Sequence, residues 1–274
     1  MAPTVLITGG SEGIGKATAL LFARKGYNLV LAARHTDRLE TTAQQIQSQN
    51  NSGTAPLTVT CDVTDPSQVK ILVRKALEHY SYIDVLINNA GIFVEGPIEK
   101  FSLEDWHKVI DTNLWGYIHT INEILPHFLD RRKGTIVNVS SIGGKVPNPY
   151  LVPYCTSKFA VTGLTESLHA ELKPKGISVC GIYPNLIKSS FLERAIFRGK
   201  DEQDMQKRRQ QIENIFQNPV IEKPEDVANA IWDAVKNHKS EVFVGSANLS
   251  QAIYRLFPGL LQWASRQVFK NEDK

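Results

Sequence analysis

Short apolar runs rich in β-branched residues alternate along this chain with longer segments of helical spacing, and that rhythm limits the fold more than any other feature. Thr4–Thr8, Tyr27–Ala33, Pro56–Cys61, Ile83–Asn88, Gly134–Ser140, Ile177–Tyr183 and Glu241–Val244 read as strands, because continuous apolar runs suit strands covered on both faces. Segments near 13–26, 37–49, 66–80, 102–130, 154–174 and 224–238 carry the i, i+3, i+4 pattern of helices. Strands alternating with helices close as right-handed crossovers, so an α/β fold built on a parallel sheet is expected. One domain over 1–246 is the economical reading. Residues 185–223 are read as a long insertion without a strand, charged over Lys200–Gln211, and 247–274 as an amphipathic helical extension.

Bulk composition excludes more than it assigns. The balance of 31 basic against 28 acidic residues leaves +3 over 274 residues, too little for a polyanion partner, so no nucleic acid is expected. Cys61, Cys155 and Cys180 are odd in number and far apart, which offers neither a disulfide framework nor a metal site and points to a reducing, cytoplasmic setting. His107, His119, His127 and His169 show no ligand spacing, so no metal is expected. The N-terminus runs directly into an apolar strand, no signal peptide is expected, and no run is long enough to span a bilayer.

The first strand meets the first helix at Thr8-Gly9-Gly10-Ser11-Glu12-Gly13-Ile14-Gly15. A diphosphate must approach bare backbone N–H groups at a helix N-terminus, where the helix dipole favours anions. Side chains at the points of closest approach would block it, hence glycine at 9, 13 and 15. The spacing Gly-x3-Gly-x-Gly is neither the Gly-x-Gly-x-x-Gly fingerprint nor a P-loop. The second strand ends Ala32-Ala33-Arg34, with Arg38 one turn on. A cation there suits a 2′-phosphate, whereas a carboxylate would suit a ribose hydroxyl. NADP(H) is therefore expected over NAD(H), although Glu12 adds no further cation.

Tyr154-Cys-Thr-Ser-Lys158 opens a helix, and i,i+4 spacing puts phenol and ammonium on one face, about 6 Å apart at Cβ. An adjacent ammonium favours phenolate, which is expected to bring the tyrosine pKa toward the working range. Ser141, at the end of the strand before, can hydrogen-bond a substrate carbonyl.

Together, the glycine turn, Asn88-Asn89-Ala90-Gly91 after the fourth strand, Ser141 and Tyr154-x3-Lys158 resemble the short-chain dehydrogenase/reductase family, in order, from residue 4 to about 190. The resemblance implies a single Rossmann-type doubly wound sheet of about seven strands and an acid–base tetrad. Tyr154 would be the proton donor in reduction and Lys158 would tune it and bond the nicotinamide ribose. Ser141, rather than Ser140, would orient the carbonyl, and Asn113 would hold a water linking Lys158 to solvent. The cofactor would lie against Gly9, Ser11, Glu12, Gly13, Ile14 and Gly15, with Arg34 at the ribose. Asp62 and Val63 would meet the adenine, Asn89, Ala90 and Gly91 the adenosine side, and Ile187 the carboxamide. Asp62 capping a turn and Asn113 bending a helix are the plain alternatives.

The family usually has Pro-Gly after the sixth strand, and this chain has Pro184-Asn185. Asparagine tolerates positive φ, so the turn is expected to survive while the substrate pocket changes. The implied reaction is hydride transfer between nicotinamide and a carbonyl or secondary alcohol. An apolar substrate such as a keto-lipid, a steroid-like molecule or a long-chain ketone suits an insertion bearing Phe191, Leu192, Ile196, Phe197, Ile212, Ile215 and Phe216. A catalytically idle nucleotide sensor is the rival reading, but it has no need of a whole tetrad. A homodimer or homotetramer is implied through helices 102–130 and 154–174, with Trp115, Ile118, Val161 and Leu168 outward. The tail Leu249–Phe269 suits a membrane interface, a lid extension or a subunit contact.

Overall fold

Every residue of β1 (Thr4–Thr8) is buried, as a strand must be when it lies mid-sheet between helical layers. The computed structural model describes residues 2–49, 55–188, 190–216 and 221–259. Strands β2 (Asn28–Ala33), β3 (Leu57–Thr60), β4 (Val85–Asn88), β6 (Gly134–Val139), β7 (Ile177–Tyr183) and β9 (Glu241–Phe243) join β1 in a seven-stranded sheet ordered β3-β2-β1-β4-β6-β7-β9. All its pairings are parallel, with Leu6 opposite Val30 on one side and Leu86 on the other. The chain first winds from β1 toward β3 and then returns to β4 on the opposite side of β1. The carboxyl ends of β1 and β4 therefore open a crevice at this switch point.

Successive strand residues face opposite sides, so the sheet has two cores. Ile7, Leu31 and Ile87 pack beneath α1 (Gly13–Arg24), α2 (Thr36–Gln49) and α8 (Pro224–Asn237). Leu6, Val30 and Leu86 pack on the other face, beneath α3 (Pro66–Tyr80), α5 (Gly116–Arg131) and α6 (Val152–Leu172). Between α5 and α6 a buried hydrogen-bond chain crosses β4 and β6. Thr120 donates to Asn88, Asn88 to Asn138, and Asn138 to Thr165, at 2.6, 3.0 and 3.0 Å. Every link is a matched donor and acceptor, so the chain fixes the two helices to the sheet without leaving an unpaired polar group.

The sequence rhythm locates these elements to within a few residues and misses three features. The segment 102–130 is not one helix. α4 (Leu103–Ile110) and α5 are joined by a π turn over Asp111–Trp115, a one-residue widening that a continuous apolar period does not reveal. The insertion 185–223 does contain a strand: β8 (Ile196–Phe197) pairs in parallel with β5 (Val94–Glu95), too short a ladder to show alternation. The insertion continues into α7 (Glu202–Phe216). Val161 does not face outward; it shares the face of Tyr154 and Lys158 and is wholly buried. Trp115 is exposed.

The extension begins with α9 (Ala247–Leu256), anchored by the buried Ala247, while Leu249, Leu256 and Phe257 are exposed. Among the described residues no helix is long and apolar enough to cross a membrane. The tail from 260 onward, including Trp263 and Phe269, and the side chains of Phe191 and Phe216 lie outside the described residues.

Candidate active site

The glycine turn between β1 and α1 needs its glycines for backbone reasons. Gly9 and Gly13 have φ of 65° and 52°, and a Cβ on Gly15 would lie 2.1 Å from the Gly9 carbonyl oxygen. The Thr8 hydroxyl accepts the backbone N–H groups of Asn89 and Ala90 at 3.0 and 3.2 Å. The Asn89 amide returns hydrogen bonds to the Thr8 and Gly9 carbonyls at 3.0 and 3.2 Å. These bonds tie the ends of β1 and β4 together at the crevice. Helix α1 takes no side-chain cap at Glu12, which leaves its first N–H groups available to an anion.

From this turn a cavity of about 350 Å³ runs along the carboxyl ends of the strands. Its walls hold Ser11, Glu12, Ile14, Arg34, Asp62, Val63, Asn89 to Gly91, Ser141, Tyr154, Lys158 and Ile187. Gly15 and Asn113 are not among the residues that line it. Asp62 serves its turn as well as lining the cavity, since one of its oxygens accepts both the N–H and the hydroxyl of Thr64, at 3.0 and 2.9 Å.

At the other end, Tyr154 is buried against the edge of Phe93, with ring centroids 5.1 Å apart. Its hydroxyl lies beside Ser141, whose side chain draws its pKa down and whose oxygen accepts the Gly143 N–H at 3.1 Å. Ser140 points the other way and donates to the Lys158 carbonyl at 3.1 Å, which separates the two adjacent serines. The Lys158 ammonium donates to the Val139 carbonyl at 3.0 Å and lies 5.9 Å from the Tyr154 ring centroid.

The expected fall of the tyrosine pKa is not what this arrangement produces. Burial pushes the Tyr154 phenol up to about 12, against the opposing pull of Ser141. Burial also pushes the Lys158 ammonium down to about 7. Both groups lie in low dielectric and both charged forms are disfavoured. The spacing Tyr-x3-Lys shows adjacency; only packing shows the depth.

Asn113 sits in the π turn with its amide fully engaged. Its oxygen accepts the Ile92 N–H at 2.8 Å, and its nitrogen donates to the Ile92 carbonyl and to Ser157, both at 3.0 Å. Gly91 lets Asn113 approach, because a Cβ there would lie 3.2 Å from the Asn113 oxygen.

The insertion covers this end. Leu192, Phe197 and partly buried Ile212 pack with Phe93, Val94 and Tyr154. Arg198 grips Asp105 through two hydrogen bonds of 2.9 and 2.6 Å, and buried Arg208 pairs with buried Glu95 at 3.2 Å. Glu12 pairs with Arg38 at 2.7 Å on one side and with Arg194 of the insertion on the other. The sequence reading missed these contacts, since nothing in spacing links residues so far apart. Asn185 lines the cavity and donates to Ser246 at 2.6 Å. It is not among the positive-φ residues, so the left-handed tolerance expected of it is not used.

The sheet order places the chain among Rossmann-type α/β proteins. The sequence profile of the short chain dehydrogenase family matches residues 3–201, and the chain belongs to that family of oxidoreductases. It is 34% identical over 231 residues to an uncharacterized oxidoreductase of Staphylococcus saprophyticus, covering 84% of this chain and 89% of that one. It is 34% identical over 194 residues to a 3-oxoacyl-(acyl-carrier-protein) reductase of Staphylococcus aureus, covering 70% and 78%. Among solved structures it resembles a short chain dehydrogenase/reductase of Burkholderia phymatum in complex with NAD, with a TM-score of 0.85, 25% identity and 95% of each chain covered. A short-chain dehydrogenase of Sphingobium yanoikuyae in complex with NADPH gives a TM-score of 0.76 at 28% identity, again over 95% of each.

Proposed function

We propose that this protein is an NADP(H)-dependent oxidoreductase that moves a hydride between nicotinamide and a carbonyl or secondary alcohol on an apolar substrate. The observation carrying this reading is that one cavity joins an uncapped helix N-terminus and Arg34 at one end to Tyr154, Ser141 and Lys158 at the other. The residues suit the cofactor: the glycine turn offers N–H groups to a diphosphate, and Arg34 has no ion-pair partner among the described residues. Asp62, Val63 and the stretch Asn89 to Gly91 would hold the adenosine side, and Ile187, Tyr154 and Lys158 the nicotinamide side.

The bound nicotinamide supplies a hydride in reduction and accepts one in oxidation. In reduction Ser141 orients the carbonyl oxygen, and Tyr154 gives its proton to that oxygen as the carbon gains the hydride. A phenol held up to about 12 is protonated throughout the neutral range, as a proton donor must be. Charged Lys158 stabilises the phenolate left behind, and Asn113, both of whose amide N–H groups are spent on Ile92 and Ser157, holds the turn behind Lys158 in place. The apolar packing of Phe93, Leu192 and Ile212 around Tyr154 supports an apolar substrate.

A panel of ketones that includes long-chain and polycyclic members, followed by NADPH absorbance, tests the reaction. Saturable oxidation of NADPH with apolar ketones is expected, and its absence across the panel would overturn the reading. Arg34→Asp is expected to shift the ratio of kcat/KM for NADPH over NADH toward NADH by roughly 10- to 100-fold, the worth of one charge-assisted phosphate contact. Steady-state kinetics with both cofactors measures it, and an unchanged ratio would remove Arg34 from the phosphate site.

A further inference from the structure

Of the arginines in the insertion, Arg198 and Arg208 are held in ion pairs with Asp105 and Glu95, away from the glycine turn. Arg209 pairs along its own helix with Glu213. Arg194 differs: it lines the cavity, and its ion-pair partner, Glu12, stands across it in the glycine turn. Glu12 divides its carboxylate between two cations. One oxygen takes Arg38, on the side of Arg34 and the end of β2, and the other takes Arg194, on the side of the insertion. Glu12 is also the residue immediately before Gly13, where α1 begins without a side-chain cap. Through Glu12, the Arg194 guanidinium is held at the residue that directly precedes the N–H groups that would receive a diphosphate.

We infer that Arg194 is a cofactor-binding residue: its guanidinium closes over the diphosphate of the dinucleotide, with Glu12 holding it in place until the dinucleotide enters. The inference rests on the nicotinamide cofactor assigned above. A guanidinium presents five N–H donors in a planar fork, so it can leave a carboxylate for a phosphate, which offers it more acceptor oxygens. The position before Gly13 carries an anion in this chain, and the cation arrives instead from the insertion, 182 residues later in sequence. Both nicotinamide dinucleotides carry the diphosphate, so Arg194 acts on NADPH and NADH alike, whereas Arg34 acts on the 2′-phosphate alone.

Fluorescence titration of the intact chain with NADPH and with NADH tests this without any substrate. Arg194→Met is expected to weaken both dinucleotides by about tenfold or more, as loss of a charge-assisted hydrogen bond does. Arg194→Lys keeps the charge and is expected to recover most of that loss. Glu12→Gln removes the carboxylate that competes for Arg194, so NADH is expected to bind the variant more tightly than the parent chain. Three results would overturn the inference: unchanged affinity in Arg194→Met, a loss confined to NADPH, or an equal loss of NADH in Glu12→Gln, which would make the pair a simple strap. Failure of the parent chain to bind either dinucleotide would overturn the proposed function itself. Binding that ignores Arg194 overturns only the inference.

Discussion

Replacing Tyr154 by phenylalanine is expected to lower kcat by roughly 10²- to 10⁴-fold, the range general acid catalysis supplies, while the affinity for NADPH changes less than threefold. The ring remains, so the edge contact with Phe93 survives. Ser141 still accepts the Gly143 N–H, so no buried polar group loses its last partner and the thermal midpoint should move little. What disappears is the phenolic proton that would pass to the substrate oxygen. Single-turnover kinetics with saturating NADPH, run beside a cofactor titration, separates the two effects. Turnover like that of the parent chain would remove Tyr154 from the reaction.

Lys158→Met carries the second large effect, and it acts in opposite directions on activity and stability. Turnover should fall at least 10²-fold, since the phenolate left by proton transfer loses its neighbouring charge. Stability should rise at acid pH. In the fold, burial holds the ammonium down to about 7, against the ordinary lysine value of 10.5. Below about 7 the lysine is charged in both the folded and the unfolded chain, and the fold bears the whole cost of burying that charge. Between about 7 and 10.5 the unfolded chain binds the proton that the fold has released, so stability rises with pH across this window. Methionine carries no such cost, and the Val139 carbonyl keeps a donor in the Tyr117 hydroxyl at 2.9 Å. Exchanging a buried ion pair for well-packed apolar side chains often gains about 1–4 kcal/mol, and removal of a lone buried ammonium is expected to gain within that range. At pH 6 the variant should therefore melt roughly 2–10 °C above the parent chain, and the gap should close toward pH 10. Thermal unfolding at both pH values reads this directly. A variant less stable at pH 6, or a gap that ignores pH, would show that the burial of Lys158 has been misjudged.

These two results bear on how legible the site is in sequence. The glycine turn is written locally: Gly9, Gly13 and Gly15 each meet a constraint within a few residues of themselves or from the adjoining strand. The Tyr154 and Lys158 pair is local too, because helical geometry alone puts them on one face. Their titration is not, because it depends on how deeply α6 sinks against β6 and on Phe93 and Tyr117, residues that come from other elements. Reading the pair as isolated charges leads to a phenol pulled down, and burial reverses it. Asn113 shows the same division. The sequence marks it as a polar residue within an apolar helical period, but only the π turn shows its amide spent on Ile92 and Ser157.

The alternation of strand and helix, the two-sided burial of the strands and the phosphate-binding character of the first turn all follow from residue order. Each depends on periods of two or about 3.6 residues and on the backbone freedom of glycine, which neighbours in sequence determine. The tertiary structure decided where the insertion rests and which charges meet across the cavity. Glu12 with Arg194, Asp105 with Arg198 and Glu95 with Arg208 are separated by 182, 93 and 113 positions. Nothing in local propensity pairs such residues. They meet because the sheet brings the carboxyl ends of its strands to one edge, and the loops that leave that edge must pack on one another.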